Sequence, residues 1–348
     1  MVKCLYVYVI LILLGIIACS ETGMKYKRLN YQNVMSLEGK LLNKSFLFSE
    51  PAEMVLVDSL IIIHDSQKQD ACFHIFNVEG DYLESFGVKG RGPGEIVLPV
   101  SMHYSENRKA IVTYDFSLRK MVFYNIQNIL KHRKPFYTEV PIASDLNFLH
   151  QVLPYKRNFV LRGPDINMRF AIMDSLQHIC SCYSSVPQLV PDDKENWAII
   201  NYLPQCAISP NGEKMVLATY VGSMFEIFNI KGDKIVRDTV QYYYPPIYNV
   251  LQKSKQAMIG TTPETILGCH NVFVSDSAIY AIYEGESAKK NQIHKKLMVF
   301  DWNGEFYKQY CFKEGDPVCI CVDEKNNTFY CVILNDKFEF QLTKYLCN

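Results

Sequence analysis

The sequence predicts an all-β fold: a six-bladed β-propeller of four-stranded antiparallel blades, with the ring closed by an N-terminal strand. Three observations carry that expectation. A strand–turn–strand unit recurs along the chain, glycine-bearing tight turns hold a fixed place within it, and helical periodicity is scarce.

The unit is clearest over residues 60–99, LIIIHDSQKQDACFHIFNVEGDYLESFGVKGRGPGEIVLP. Its third strand and turn, HIFNVEGDYLESF (74–86), recur as MVFYNIQNIL (121–130), EIFNIKGDKIVR (226–237) and MVFDWNGEFYKQY (298–310). AIMDSLQHI (171–179) is a weaker copy and EFQLTKYL (339–346) a terminal one. Anchor positions are Phe76, Phe123, Ile172, Phe228, Phe300 and Phe340, separated by 47, 49, 56, 72 and 40 residues. A four-stranded blade takes roughly 40–50 residues, so the longer gaps imply insertions.

Each anchor follows a short apolar run: Leu60–His64, Ala110–Tyr114, Phe159–Arg162, Met215–Thr219, Ile279–Tyr283 and Thr328–Leu334. These runs are rich in β-branched and aromatic residues, as buried strands require. Gly80, Gly232 and Gly304 stand where a tight hairpin needs a positive φ. One segment, Tyr248–Ile259, has the spacing of a helix. The sixth unit ends without a fourth strand, and an open blade exposes a sheet edge. A strand from Tyr26–Leu42 is expected to fill that place.

The 348 residues suit one large β domain, and the formal net charge is zero. A nucleic-acid partner would need a basic face. The basic stretches Lys131–Lys134 and Lys289–Lys296 are short and read as solvated loop tips.

The N-terminus reads as a targeting segment. Lys3 precedes a 15-residue apolar run, Cys4–Ala18, the length of a signal-peptide core and short for a membrane span. The run closes as Ile16-Ile17-Ala18-Cys19, which resembles the bacterial lipobox. That resemblance implies cleavage before Cys19, lipid attachment to it, and membrane association through the lipid. The expected organisation is a signal peptide over residues 1–18, a tether over 19–25 and the propeller over 26–348. The expected address is the bacterial envelope, on the outer membrane, with the face left open.

Ten further cysteines follow, among them Cys180-Ser181-Cys182 and Cys319-Ile320-Cys321. Residues i and i+2 of a strand share a face. Each pair therefore reads as two small core residues, with soft-metal binding as the alternative. Cys319 and Cys331, on neighbouring strands, are a candidate disulfide.

The segment Phe86-Gly87-Val88-Lys89-Gly90-Arg91-Gly92-Pro93-Gly94-Glu95 resembles the G-x-x-G-x-G-P-G-E signature of six-bladed propeller lipoproteins of Bacteroidota, the TolB-like or NHL-like type. The resemblance covers essentially the whole mature chain, although the full signature occurs once. It implies that the loop joins the outer strand of one blade to the inner strand of the next. It implies no activity. The residues themselves allow either a connector or an anion nest of backbone amides beside Lys89 and Arg91. The loop lacks the Gly-Lys-Ser/Thr of a P-loop, and no helix pattern follows it as a dinucleotide site needs.

Propellers bind ligands where loops converge at the central channel. Lys89, Arg91 and Glu95 are candidates there, with Trp197 and Tyr202 on the insertion Val186–Pro204. Tyr242, Tyr243, Tyr244 and Tyr248 open a second insertion, Tyr242–His270. Aromatic side chains on loops suit carbohydrate or peptide, and equally suit burial against the propeller.

Two functions follow. One is a non-enzymatic binding or scaffold module of the envelope, with no cofactor and with a peptide, a carbohydrate or an envelope protein complex as partner. The other is a Ca²⁺-dependent propeller hydrolase or lactonase, for which Glu53, His103, His150, His270 and Asn271 are the inner-strand candidates. No G-x-S-x-G elbow is present. Asp-Ser/Thr-aliphatic triplets at Asp58, Asp174, Asp238 and Asp276 resemble O-glycosylation acceptors of Bacteroidota, and equally read as hairpin turns.

Overall fold

The computed structural model describes residues 26–29, 33–43, 45–134, 136–143, 146, 149–165, 168–187, 205–253, 256–290 and 294–347. Two short strands come first, β1 (Val34–Leu37) and β2 (Lys40–Leu41). Blade 1 is β3 (Pro51–Val57), β4 (Leu60–Asp65), β5 (Ala71–Asn77) and β6 (Tyr82–Val88). Blade 2 is β7 (Pro99–Ser105), β8 (Ala110–Asp115), β9 (Lys120–Tyr124) and, after helix α1 (Ile126–His132), β10 (Tyr137–Pro141). Blade 3 is β11 (Gln151–Tyr155), β12 (Asn158–Asp165), β13 (Met168–Met173) and β14 (Ile179–Tyr183). Blade 4 is β15 (Gln205–Ile208), β16 (Lys214–Ala218), β17 (Ser223–Lys231) and β18 (Lys234–Tyr244). A separate hairpin, β19 (Asn249–Lys253) and β20 (Gln256–Gly260), precedes blade 5. Blade 5 is β21 (Ile266–Val274), β22 (Ile279–Ser287), β23 (Lys296–Phe300) and β24 (Phe306–Phe312). Blade 6 is β25 (Asp316–Asp323), β26 (Thr328–Leu334) and β27 (Phe340–Leu346).

The first strands form a ring in which β3 touches β7, β7 touches β11, and so on through β15, β21 and β25 back to β3. Strand β2 pairs antiparallel with β27 and completes blade 6. Strand β1 adds a fifth, parallel strand to blade 5 along β24, which the sequence pattern did not suggest. The N-terminal segment thus runs along the outside of several blades. Lys27 N–H donates to the Tyr242 carbonyl of blade 4 (2.7 Å), and Asn43 Nδ2 donates to the Gly80 carbonyl of blade 1 (2.7 Å).

Each sheet buries both faces, and the core is divided into six clusters, one between each pair of neighbouring blades. All six anchors lie on third strands or, for blade 6, on the last strand before β2. The third strands of blades 1, 3 and 5 end in a common turn. Asn77 Oδ1 accepts from the N–H groups of Glu79 and Asp81, Asp174 from Leu176 and His178, and Asp301 from Asn303 and Glu305, all at 2.8–3.1 Å. Gly80, Gly232 and Gly304 have φ of 95°, 58° and 77°.

Four expectations are corrected. The described residues of Tyr248–Ile259 are not helical, and most of them form the β19–β20 hairpin. A helix forms instead at α1, capped by the Asn125 side chain, which accepts from Asn128 N–H at 2.9 Å, and held by buried Ile126 and Ile129. Lys131 and His132 belong to its last turn, not to a loop tip. Cys180 and Cys182 are exposed on the outer strand β14 instead of buried, and Cys180 is the extra residue of a bulge against β13. Cys331 lies opposite Ile320 and faces the cluster between blades 5 and 6, while Cys319 faces the one between blades 6 and 1. Side-chain alternation therefore keeps the proposed disulfide partners apart, and both are free thiols. Among the described residues no helix is long and apolar enough to cross a membrane.

Candidate functional site

The connectors from the outer strand of one blade to the inner strand of the next lie at one end of the channel, here termed the connector face. The Gly-rich segment is the connector from β6 to β7. Gly87 and Gly94 have φ of 71° and 74°. A Cβ on Gly90 would sit 2.0 Å from Glu95 Oε2. The amides that an anion nest would offer are turned to the protein's own carboxylates. Gly92 N–H donates to Glu95 (2.7 Å) and Gly94 N–H to Glu139 (2.7 Å). Lys89 Nζ donates to the Ser66 carbonyl (2.8 Å), and Arg91 is exposed.

Ser66 belongs to the rim of a cavity of about 450 Å³ at the connector face. Side chains from blades 1, 3, 4 and 5 line it: Glu53 and His64, then His150, Gln151 and Arg162, then Gln205, then His270 and Asn271. Glu53, Gln151, Gln205 and Asn271 also bound a second cavity of about 640 Å³, which runs down the channel past His103. These four residues make a polar waist between the two spaces. A third cavity, about 470 Å³, lies outside the channel between blades 2 and 3, where Arg108 covers the Phe123 and Phe159 rings.

The strands position these groups in cross-strand pairs. Glu53 on β3 faces His64 on β4, and Gln151 on β11 faces Arg162 on β12. Arg162 Nε donates to Gln151 Oε1 at 2.9 Å. His64 Nδ1 stands 3.5 Å from Glu53 Oε2. His270 Nε2 is bonded to Glu284 Oε1, with the Tyr220 ring edge-on at 4.6 Å. Asn271 Nδ2 donates to the Ala52 carbonyl at 3.0 Å and so ties blade 5 to blade 1.

Burial sets the charges. It pulls His150 down to about 4, helped by Arg162, so the imidazole is neutral at pH 7. Burial also lowers His103, against the opposing effect of Glu53. Arg162 is pushed down to about 10, chiefly by burial and also by Arg169, and remains cationic at pH 7.

Of the sequence candidates, the structure brings together Glu53, His150, His270 and Asn271 at one cavity, with His103 below it. Lys89 reaches the rim through Ser66, Glu95 folds back into its own loop, and Arg91 stays outside. Tyr242–Tyr244 are the end of strand β18, not a loop, and Tyr243 is buried with its hydroxyl donating to the Gly304 carbonyl. Trp197, Tyr202 and Cys19 lie outside the described residues. His64 and Arg162 were missed by sequence reasoning, although each closes a buried apolar run with a polar side chain. For a calcium centre the donor set is thin. Glu53 is the one carboxylate lining the connector-face cavity, and among the described residues no group of three His, Cys, Asp or Glu is placed to hold a metal.

No curated protein matches the chain. Among solved structures, a Bacteroides fragilis protein inferred to be exported is 13% identical with a TM-score of 0.55, over 90% of this chain and 98% of that one. A DUF4221 family member from Bacteroides vulgatus is 12% identical with a TM-score of 0.54, over 88% and 95%. At such identities the likeness is one of fold. The family of TolB-like six-blade propellers matches over residues 30–325. With its six four-stranded blades and that match across most of its length, this chain belongs to the TolB-like six-blade propeller family.

Proposed function

We propose that this chain is an exported propeller, held to the envelope by a lipid on Cys19, that binds a small polar ligand at the connector-face mouth of its channel and performs no catalysis on it. One observation carries the binding: polar side chains from four blades converge on a cavity of about 450 Å³, among them His64, Gln151 and Arg162 at 3%, 5% and 7% exposure. Side chains of this kind are costly to bury and are kept where they fix a ligand's orientation. The apolar run Cys4–Ala18 ending at Cys19, and the Bacteroides fragilis protein of the same fold that is inferred to be exported, support the address.

Two measurements test it. Thermal shift of the full chain against a panel of sugars, amino acids, dicarboxylates and nucleosides should yield a stabilising compound. That shift should vanish in Gln205→Trp, which fills the channel waist. A shift that survives would move the site elsewhere, with the groove between blades 2 and 3 the next place to look. Fatty-acid labelling should be lost in Cys19→Ser. Label retained in that variant would overturn the anchor.

A further inference from the structure

The acceptors left over at the cavity indicate what it takes. Glu53 Oε2, both ring nitrogens of His64 and Nε2 of His103 are buried without a hydrogen-bond partner. Glu53 and His64 are 3.5 Å apart, and His103 lines the lower cavity that Glu53 also bounds, within reach of its charge. Leaving a buried polar atom unmet costs its full desolvation, so four together point to a bound group that satisfies them. A neutral imidazole offers one donor and one acceptor, while a carboxylate offers only acceptors. Behind His270, Glu284 adds a second carboxylate whose Oε2 is also buried and unmet. Acceptors thus outnumber donors on this side, and the group that balances them carries several N–H bonds and a positive charge.

Blade 3 presents the opposite chemistry. Its wall carries Arg162 and the Gln151 amide, with His150 neutral beside them. In a ring of six, blade 3 faces the joint wall of blades 1 and 5, which the Asn271–Ala52 hydrogen bond holds together across blade 6. The cavity therefore has an acidic side and a basic side. Its volume of about 450 Å³ falls in the range of small-ligand sites.

We propose that the connector-face cavity binds a small zwitterion, a free α-amino acid or a short peptide, with its ammonium at Glu53 and His64 and its carboxylate at Arg162 and Gln151. This rests on that cavity being the binding site. A site built to bond a given group rejects the analogue that lacks it. The test is calorimetry on the full chain in detergent with L-alanine, L-glutamate, L-phenylalanine, L-lysine and dialanine. The single-charge analogues propionate, propylamine and N-acetylalanine complete the set. At least one zwitterion should bind, and its single-charge analogues should bind at least about tenfold more weakly. Free amino acids and dialanine separate the two sources of the same chemistry. Glu53→Gln and Arg162→Gln should each weaken binding by about tenfold or more, and the analogue comparison needs no variant if either fails to fold. Propionate or N-acetylalanine binding as tightly as alanine, dependent on Arg162, would overturn the zwitterion while leaving the cavity as the site. Zwitterion binding untouched by Glu53→Gln and Gln205→Trp would overturn both. Absence of binding by every zwitterion overturns the inference alone, because the wider panel tests the cavity separately.

Discussion

Arg169 and Glu226 form a two-pronged ion pair across the joint between blades 3 and 4, with both side chains wholly shut off from solvent. Arg169 sits on β13 and Glu226 on β17, so the pair crosses the apolar cluster that otherwise joins these blades. Arg237 on β18 shares Glu226 at 3.3 Å from the half-buried side. Desolvating both charges offsets much of their attraction, but removing one partner leaves the other buried and uncompensated. Arg169→Met should therefore destabilise the fold by about 3–5 kcal/mol in urea unfolding. Arg169→Met combined with Glu226→Leu should recover most of that loss, because only Arg237 loses a charge partner, and it reaches solvent and keeps its hydrogen bond to Ser185. A double variant as unstable as the single one would show that the pair is worth more than apolar contact.

The connector loop separates strain from exposure. Gly94 has φ of 74°, and a Cβ there would lie 2.3 Å from the Tyr137 ring. Gly94→Ala should cost about 2 kcal/mol or more. Arg91→Ala, on the same loop but exposed, should change stability by less than about 0.5 kcal/mol. Equal effects in thermal unfolding would contradict the assignment of this loop as a tightly fitted joint.

Much of the fold is legible in the sequence because blades repeat a local pattern. Phe76, Phe123 and Phe300 mark third strands since an inward aromatic must recur wherever two sheets pack, and Gly80 and Gly304 mark turns since φ is positive there. Where periodicity was short, it misled. Ile126 and Ile129, one helical turn apart, follow strand β9 so closely that they read as its continuation, until the Asn125 cap is seen. The site is harder to read, since its partners meet across strands and blades. Glu53 was singled out from its inner strand, but the neighbour that defines its chemistry, His64, stood at the end of an apolar run. Arg162 was hidden in the same way, and nothing local says that blades 1, 3 and 5 share one cavity.

The N-terminal strands should protect the sheet edges that they cover. Leu37 on β1 is buried in the cluster between blades 5 and 6, and β2 covers the edge of β27. Leu37→Ala should cost about 2–3 kcal/mol. Removal of residues 1–43 should leave β24 and β27 with free edges and give larger species in light scattering than the full chain does. A truncated chain of no greater association state and with an unchanged unfolding midpoint would show that the ring needs no such closure.

Two histidines should tie stability to pH. Burial pulls His74 down to about 4, aided by Lys68 and His64, while its Nδ1 is paired with the Ser85 hydroxyl at 2.7 Å. His150 is likewise lowered to about 4. Between pH 6.5 and 4 the unfolded chain binds protons at these positions that the folded chain refuses. Stability must then fall as pH drops through that window, and level off for these groups below it. For His74, 2% exposed, the loss amounts to at most about 3 kcal/mol. His74→Gln should show a smaller drop in urea midpoint between pH 7 and pH 5 than the parent chain. Identical pH profiles would mean that His74 titrates normally in the folded state.

Thiol reactivity should divide the cysteines by their place in the blades. Cys180 and Cys182 are exposed on β14, at a bulge where the register with β13 shifts between Ile172 and Met173. Cys72, Cys206, Cys269, Cys319, Cys321 and Cys331 are buried between blades, and burial drives their thiols well above the usual range. The thiolate is the reactive form, so these six are doubly protected, by access and by protonation. Cys180 is also raised, by its partial desolvation and by Asp233 and Asp174, so it should label more slowly than an unhindered thiol while still outpacing the buried set. Maleimide labelling of the native chain at pH 7, read by peptide mass spectrometry, should mark Cys180 and Cys182 first. The buried six should be modified only at the rate of unfolding. Early labelling of Cys319 or Cys331 would mean that blade 6 opens on its own, and would place the weak point of the ring at the blade completed by β2.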